Sequence, residues 1–261
     1  MAYAKPGRAS RPQIDHCRYD GSRLLFRGPP RPLEGEFVAC LGGTETFARE
    51  VALPFPDLLE ELTGLTCVNF GWPNAGVEAF ANDRALMGSA ARARACVLQV
   101  PGAANLSNMY YRVHPRRNDR FLQPTEALQA LYPEVDFMEF SFTRHLLGRL
   151  MALSPERFAY IREELATVWL ASMRGLIGRI GAPVVLLWLS GRPPEARCDS
   201  PDPADDPAFV TRVMLEALRG EVAAVVELVL PREAGAGGFG PAQHAAVAEA
   251  LVPALAGLLE P

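Results

Sequence analysis

Four short polar segments of this chain carry the residue types that acyl chemistry uses. Leu41-Gly42-Gly43-Thr44-Glu45-Thr46 follows one apolar run, Asn69-Phe70-Gly71-Trp72-Pro73-Asn74-Ala75-Gly76 a second, and Gly102-Ala103-Ala104-Asn105-Leu106-Ser107-Asn108 a third. Gly240-Pro241-Ala242-Gln243-His244 opens the last helical stretch. A hydroxyl at a strand-to-helix turn, here Thr44, can be presented as a nucleophile beside free backbone N–H groups. Gly71 lets a backbone donor approach a ligand closely. A side-chain amide from Asn105, or from its rival Asn108, can complete an oxyanion hole. The His244 imidazole stands where it could accept the hydroxyl proton. Each residue also has a plainer reading: Thr44 caps a helix, Gly71 makes a turn, the asparagines bond within their own loop and His244 simply starts a helix.

The densest polar run is Tyr110-Tyr111-Arg112-Val113-His114-Pro115-Arg116-Arg117-Asn118-Asp119-Arg120. Guanidinium groups so closely spaced suit a carboxylate, phosphate or sulfate on a ligand. Arg112, His114, Arg116 and Arg117 are therefore candidate substrate-binding residues, together with Glu45 beside Thr44. The bland alternative is a solvated loop in which Asp119 neutralises one arginine. His16 and His145 read as structural. No cluster has metal-ligand spacing, no G-x-G-x-x-G follows a strand, and no lysine of the Walker type exists, so neither metal nor cofactor is expected.

These segments need a scaffold, and the apolar pattern provides one. Residues 37–41, 66–70, 95–100, 184–189 and 222–230 read as strands, and the first, a compact apolar run ending in Gly42-Gly43, reads as buried on both faces. Helices are predicted between them over 56–62, 77–91 and 125–131, from Pro155 to Ile180, over 209–218 and over 242–259. Ser154 can N-cap the long helix, with Pro155 at its first position. Residues 102–123 read as a long polar loop, 191–206 as a Pro/Asp-rich loop and 233–240 as a flexible one. Alternating strand and helix imply a three-layer α/β/α sandwich around a five-stranded, mainly parallel sheet, with residues 1–35 as an N-terminal arm and 36–261 as the α/β domain. Ligands gather at the carboxyl ends of such strands, where the polar segments fall.

Composition narrows the setting. Of 261 residues, 49% are hydrophobic, enough for a large core. A net charge of −4 and a pI near 5.7 argue against general nucleic-acid coating. The polar N-terminus predicts no secretory signal, and no apolar stretch reads as long enough to span a bilayer. Cys17, Cys40, Cys67, Cys96 and Cys198 are odd in number and lack a C-x-x-C pair, so reduced thiols and a cytoplasmic protein are expected.

The four segments resemble the blocks of the SGNH (GDSL-type) hydrolase superfamily. Gly42-Gly43-Thr44-Glu45-Thr46 is similar to its first block, Asn69-Phe70-Gly71 to its second, Gly102 to Asn105 to its third with one extra residue, and His244 to the histidine of its fifth. The whole chain also resembles a bacterial domain family of unassigned activity that carries the same Gly-Gly-Thr-Glu-Thr and His-Pro-Arg-Arg-Asn-Asp-Arg-Phe segments. The SGNH resemblance implies a flavodoxin-like sheet and an ester hydrolase or acyltransferase acting on a small-molecule or carbohydrate ester, such as an O-acetyl carbohydrate. Thr44 would be the nucleophile and His244 the base, with Gly71 and Asn105 as oxyanion donors. Thr44 replaces the usual serine, Gly43 the usual Asp, and Pro241 the acid that orients the histidine; Asp202, Asp205 or Asp206 could supply that carboxylate from elsewhere. Those departures favour a second reading, a degenerate scaffold binding an anionic glycan or partner. A third is sulfuryl or phosphoryl transfer using the arginine-rich loop.

Overall fold

A computed structural model describes residues 12–195, 201–202, 205–232 and 238–259. Five parallel strands form the central sheet: β3 (Phe37–Gly42), β4 (Thr66–Gly71), β5 (Ala95–Gln99), β8 (Val184–Ser190) and β9 (Ala224–Val229), in the order β4-β3-β5-β8-β9. Two short antiparallel pairs accompany it, β1 (His16–Cys17) with β2 (Phe26–Arg27), and β6 (Tyr111–Val113) with β7 (Phe121–Pro124). The helices are α1 (Thr44–Phe47), α2 (Phe55–Thr63), α3 (Val77–Ala81), α4 (Arg84–Ala90), α5 (Glu126–Leu131), α6 (Thr143–Leu153), α7 (Pro155–Ile180), α8 (Arg212–Glu216) and α9 (Pro241–Leu259).

The expected three-layer α/β/α sandwich is what forms. β3, β5 and β8 are buried along their whole length, because helices cover both faces of a parallel sheet. Alternate residues enter opposite layers. Val38, Cys40, Val97, Val185 and Leu187 pack beneath Phe55 and Leu59 of α2 and Val247, Leu251 and Leu255 of α9. Ala39, Leu41, Cys96, Leu98 and Trp188 face the other layer with Phe80, Leu86, Trp169 and Leu176. Ser154 Oγ accepts the Arg157 N–H at 3.2 Å to cap α7, whose buried stripe includes Phe158, Ile161, Leu165, Trp169 and Met173.

Several boundaries differ from expectation. The predicted helix 77–91 breaks at Asn82-Asp83, where Asp83 accepts the Leu86 N–H and caps a new helix. The long polar loop contains the β6–β7 hairpin, and α6 forms where no element was expected. Residues 12–35 are stitched into the fold rather than left as an arm, with Leu24 and Phe26 fully buried. The loops expected over 191–206 and 233–240 lie partly outside the described residues, as does Cys198. Cys17, Cys40, Cys67 and Cys96 are buried free thiols. α9 is by length and composition apolar enough to cross a bilayer, contrary to the expectation that no stretch would be; here its Val247, Ala248, Leu251 and Leu255 are buried within the domain.

Candidate functional site

In the order β4-β3-β5 the chain reverses its direction of progress between β3 and β5. Open parallel sheets bind ligands outside the carboxyl ends of the strands at such a point. Thr44 follows β3 and Asn105 lies in the loop after β5, so both sit at this crevice. The turn after β3 is held from below by Gln99, the last residue of β5. Its Oε1 accepts from Gly43 N at 3.1 Å, Thr46 N at 3.2 Å and Thr46 Oγ1 at 2.7 Å.

Asn74 is the hub. The Thr44 hydroxyl donates to Asn74 Oδ1 and accepts the Asn74 backbone N–H, both at 3.2 Å, and Asn74 Nδ2 donates to Asp119 Oδ2 at 3.3 Å. Asn74 has φ of 57°, the left-handed region that asparagine tolerates better than other non-glycine residues. Buried Asn118 sets the adjacent Asp119 in place. Its Oδ1 accepts Gly76 N and Ala79 N, and its Nδ2 donates to His114 O, which ties the arginine-rich loop to the start of α3.

Three cavities meet at Asn74. One of about 310 Å³ is lined by Trp72, Phe142, Asp119, Arg49, Arg117 and Arg120. A second, about 180 Å³, includes Thr44, Glu45 and Phe239. The third, about 210 Å³, includes Asn105, Asp119, Thr143 and Asp206. Asn105 Oδ1 accepts the Thr143 hydroxyl at 2.7 Å, and among the described residues its Nδ2 has no partner. Asp206 is exposed into this third cavity, yet desolvation by the surrounding protein raises its carboxyl to about 6, opposed by the Ala208 N–H and by Arg232. A carboxyl so raised in a cleft is a mark of functional sites.

Most of the other expected site residues are bonded within the protein or turned away, and Arg117 and Glu45 are the two that reach the cavities at Asn74. The Gly71 N–H already donates to Asn69 Oδ1 at 2.9 Å, so it is not a free oxyanion donor. Asn108 is consumed within its loop, donating to Leu106 O and accepting from Tyr110 N and Tyr111 N. The Arg112 guanidinium bonds the carbonyls of Asn108 and Tyr111. His114 Nδ1 accepts the N–H groups of Arg116 and Arg117, so it shapes the loop. Arg116 turns to a different cavity, while Arg117 does line the cleft. Glu45 is buried, pairs with Arg232 at 2.8 Å and accepts Phe239 N at 2.9 Å, which locks the β3–α1 turn to the approach of α9. Arg49, Arg120 and Asn74 were not among the expected site residues. Asn74 carried a sequence signal, an Asn just after Trp-Pro in a strand-end turn, and Arg120 lay within the arginine-rich run; Arg49 had neither.

His244 departs furthest. Its ring is fully buried in the layer between the sheet and α2, stacked on Phe55 at 6.2 Å, and its Nδ1 accepts the Phe55 N–H at 3.2 Å. It lines none of the three cavities at Asn74. Burial, helped by the charge of Arg27, lowers its pKa to about 4. It is therefore a neutral core histidine, and the base expected for Thr44 is missing from the cleft. The unfolded chain takes up this proton below about 6.5 and the folded chain resists until about 4, so stability is full above 6.5 and is lost as the pH falls through that window. The loss is at most about 3 kcal/mol. Urea unfolding at pH 7 and pH 4.5 should show this slope shrinking in His244→Asn, which keeps an acceptor for Phe55 N; an unchanged slope would assign it to other groups.

The strand order defines a flavodoxin-like α/β domain with a crevice at its strand reversal. The chain belongs to the DUF6473 family, a domain of unknown function, whose family model matches residues 1–257. No curated protein matches it.

Proposed function

We propose that this protein binds a small anionic ligand, an acidic or O-acylated carbohydrate, in the cleft around Asn74, on an SGNH-like scaffold whose nucleophile lacks its base. One observation carries this reading. Arg49, Arg117 and Arg120 converge on one cavity, and among the described residues none has a carboxylate within 4 Å. Asp119 is the one acidic group lining that cavity, so the wall is net cationic. Trp72 and Phe142 supply flat apolar surface beside it, with Arg120 5.0 Å above the Phe142 ring. The Thr44 hydroxyl, the Asn74 amide and Asn105 Nδ2 offer neutral donors and acceptors for sugar hydroxyls.

A second reading, acyl transfer at Thr44, is favoured by the half-buried hydroxyl that lines a cavity at the strand reversal. Against it, the Thr44 proton points at an amide oxygen, which has no basicity to carry it away. Both readings meet in one experiment on an O-acetylated galacturonate, following binding by calorimetry and acetate release by chromatography. Arg117→Ala/Arg120→Ala should weaken binding by more than about a hundredfold, since hydrogen bonds to charged groups are worth about 1.5–3 kcal/mol each. Thr44→Val should weaken it only severalfold. Acetate release by the parent protein that disappears in Thr44→Val would favour the acyl-transfer reading, and unchanged affinity in the arginine pair would refute the anion site.

A further inference from the structure

A second arginine-lined cavity, of about 430 Å³, opens on the other side of the arginine-rich loop. Arg23, Arg84 and Arg116 line it, all three are exposed, and among the described residues none has a carboxylate within 4 Å. Its one acidic lining residue, Asp83, is already committed. Oδ1 accepts Leu86 N, while Oδ2 accepts the Ser22 hydroxyl and Arg23 N. Three positive charges therefore face solvent with one internally bonded carboxylate among them.

The two cavities share a wall. Trp72 lines the first and donates its indole N–H to the carbonyl of Arg116, which lines the second, at 2.8 Å. Arg116 and Arg117 are chain neighbours that line different cavities, and consecutive Cα atoms lie about 3.8 Å apart. A short cationic ridge thus joins two net-positive hollows. We infer that the cleft ligand is one end of a longer acidic glycan, which crosses this loop and places further carboxylates or sulfates on Arg23, Arg84 and Arg116. The inference rests on the cleft reading above. A nucleic acid fits less well: no aromatic ring lines the second cavity to stack a base, and the chain as a whole is acidic.

The test is calorimetric titration of the full chain with galacturonic acid and with its hexamer. Six repeated units raise affinity by about sixfold through statistics alone, whereas engagement of a second tethered site multiplies it further. The hexamer should bind at least fiftyfold more tightly than the monomer, on the order of what linked sites provide. Arg23→Ala/Arg84→Ala/Arg116→Ala should return the hexamer to within about tenfold of the monomer and leave monomer affinity unchanged. A hexamer gain no larger than statistical, or one that survives the triple substitution, overturns the inference and leaves the cleft reading standing. Failure of both sugars to bind overturns both. An oligothymidylate of equal charge binding more tightly than the hexamer overturns the inference in favour of nucleic acid.

Discussion

Gly71→Ala is expected to destabilise the protein by about 3 kcal/mol or more, because the new methyl has nowhere to go. A Cβ there would stand 2.3 Å from Phe47 N and 2.7 Å from both Phe47 Cα and Thr46 C. These are backbone atoms of α1, and the rest of the molecule pins them. Gln99 holds the turn from beneath, Asn69 Nδ2 donates to Thr46 O at 2.7 Å, and Arg27 grips the carbonyls that follow. Relief would require β4 and α1 to separate, which would move Thr44 and Asn74 with them. Gly88→Ala is the control, since a Cβ there, in α4, meets nothing within 4 Å; a helical alanine should leave the protein at least as stable as the parent, by up to about 1 kcal/mol. Guanidinium unfolding of the three proteins measures both. A Gly71→Ala protein as stable as the parent would mean that the close approach of β4 to α1 is wrong.

That position shows what the sequence carried and what it did not. A glycine after the second strand was visible, and its reading as an oxyanion donor came from the SGNH resemblance. The structure gives it the plainer task of letting two backbones touch. The sheet itself was legible because its central strands are apolar on both faces. Phe37 to Leu41 and Val184 to Leu189 have no polar residue to break the run, and glycine or proline punctuates the ends of the strands. The β6–β7 hairpin was not legible. Tyr111-Arg112-Val113 is a three-residue alternation within a polar stretch, too short to read as a strand, and the contacts that brace it, such as the Tyr111 hydroxyl donating to Ala104 O at 2.7 Å, leave no periodic signal. α6 was hidden for a similar reason: Thr143 to Leu153 carries scattered arginines and a glycine, and Leu146, Leu147 and Leu150 acquire their meaning once α7 lies beside them.

The site was legible as a place more than as a mechanism. Thr44, Asn105 and Arg117 do reach one crevice, because loops after neighbouring parallel strands must emerge on one edge of the sheet. His244 does not join them. The residue that would betray this, Phe55, lies 189 positions earlier, and its backbone N–H claims the imidazole. Hydrogen-bond satisfaction of that kind has no local signature. The same holds for Glu45, whose partner Arg232 lies across the sheet. Asn74 was readable in principle, since a turn that needs a positive φ without glycine favours asparagine.

Arg27→Met is expected to cost about 3–5 kcal/mol and to weaken ligand binding at the cleft in the same variant. Arg27 is buried, and desolvation lowers its pKa, with Asp57 opposing. Among the described residues its guanidinium has no carboxylate within 4 Å. It donates instead to four carbonyls in one short stretch: Phe47, Ala48, Val51 and Ala52, at 3.3, 2.6, 2.8 and 2.7 Å. Methionine fills a similar volume but donates to none of them, leaving Ala48 O with only the Val51 N–H at 3.3 Å. Ala48 is held at φ of 52°, a conformation that alanine avoids unless its surroundings enforce it. Without the guanidinium the segment from Phe47 to Ala52 should relax, and that segment carries Phe47 and Arg49 into two of the three cavities. Arg27→Lys separates charge from geometry, because an ammonium keeps the charge but offers three donors from a single nitrogen and cannot span four acceptors. Stability should fall in the order arginine, lysine, methionine, and amide hydrogen exchange should quicken first between residues 47 and 52. A methionine variant with parent stability but slack binding would place Arg27 in the cleft's function alone. Parent-like exchange in this segment would show that the four carbonyl contacts do not hold it.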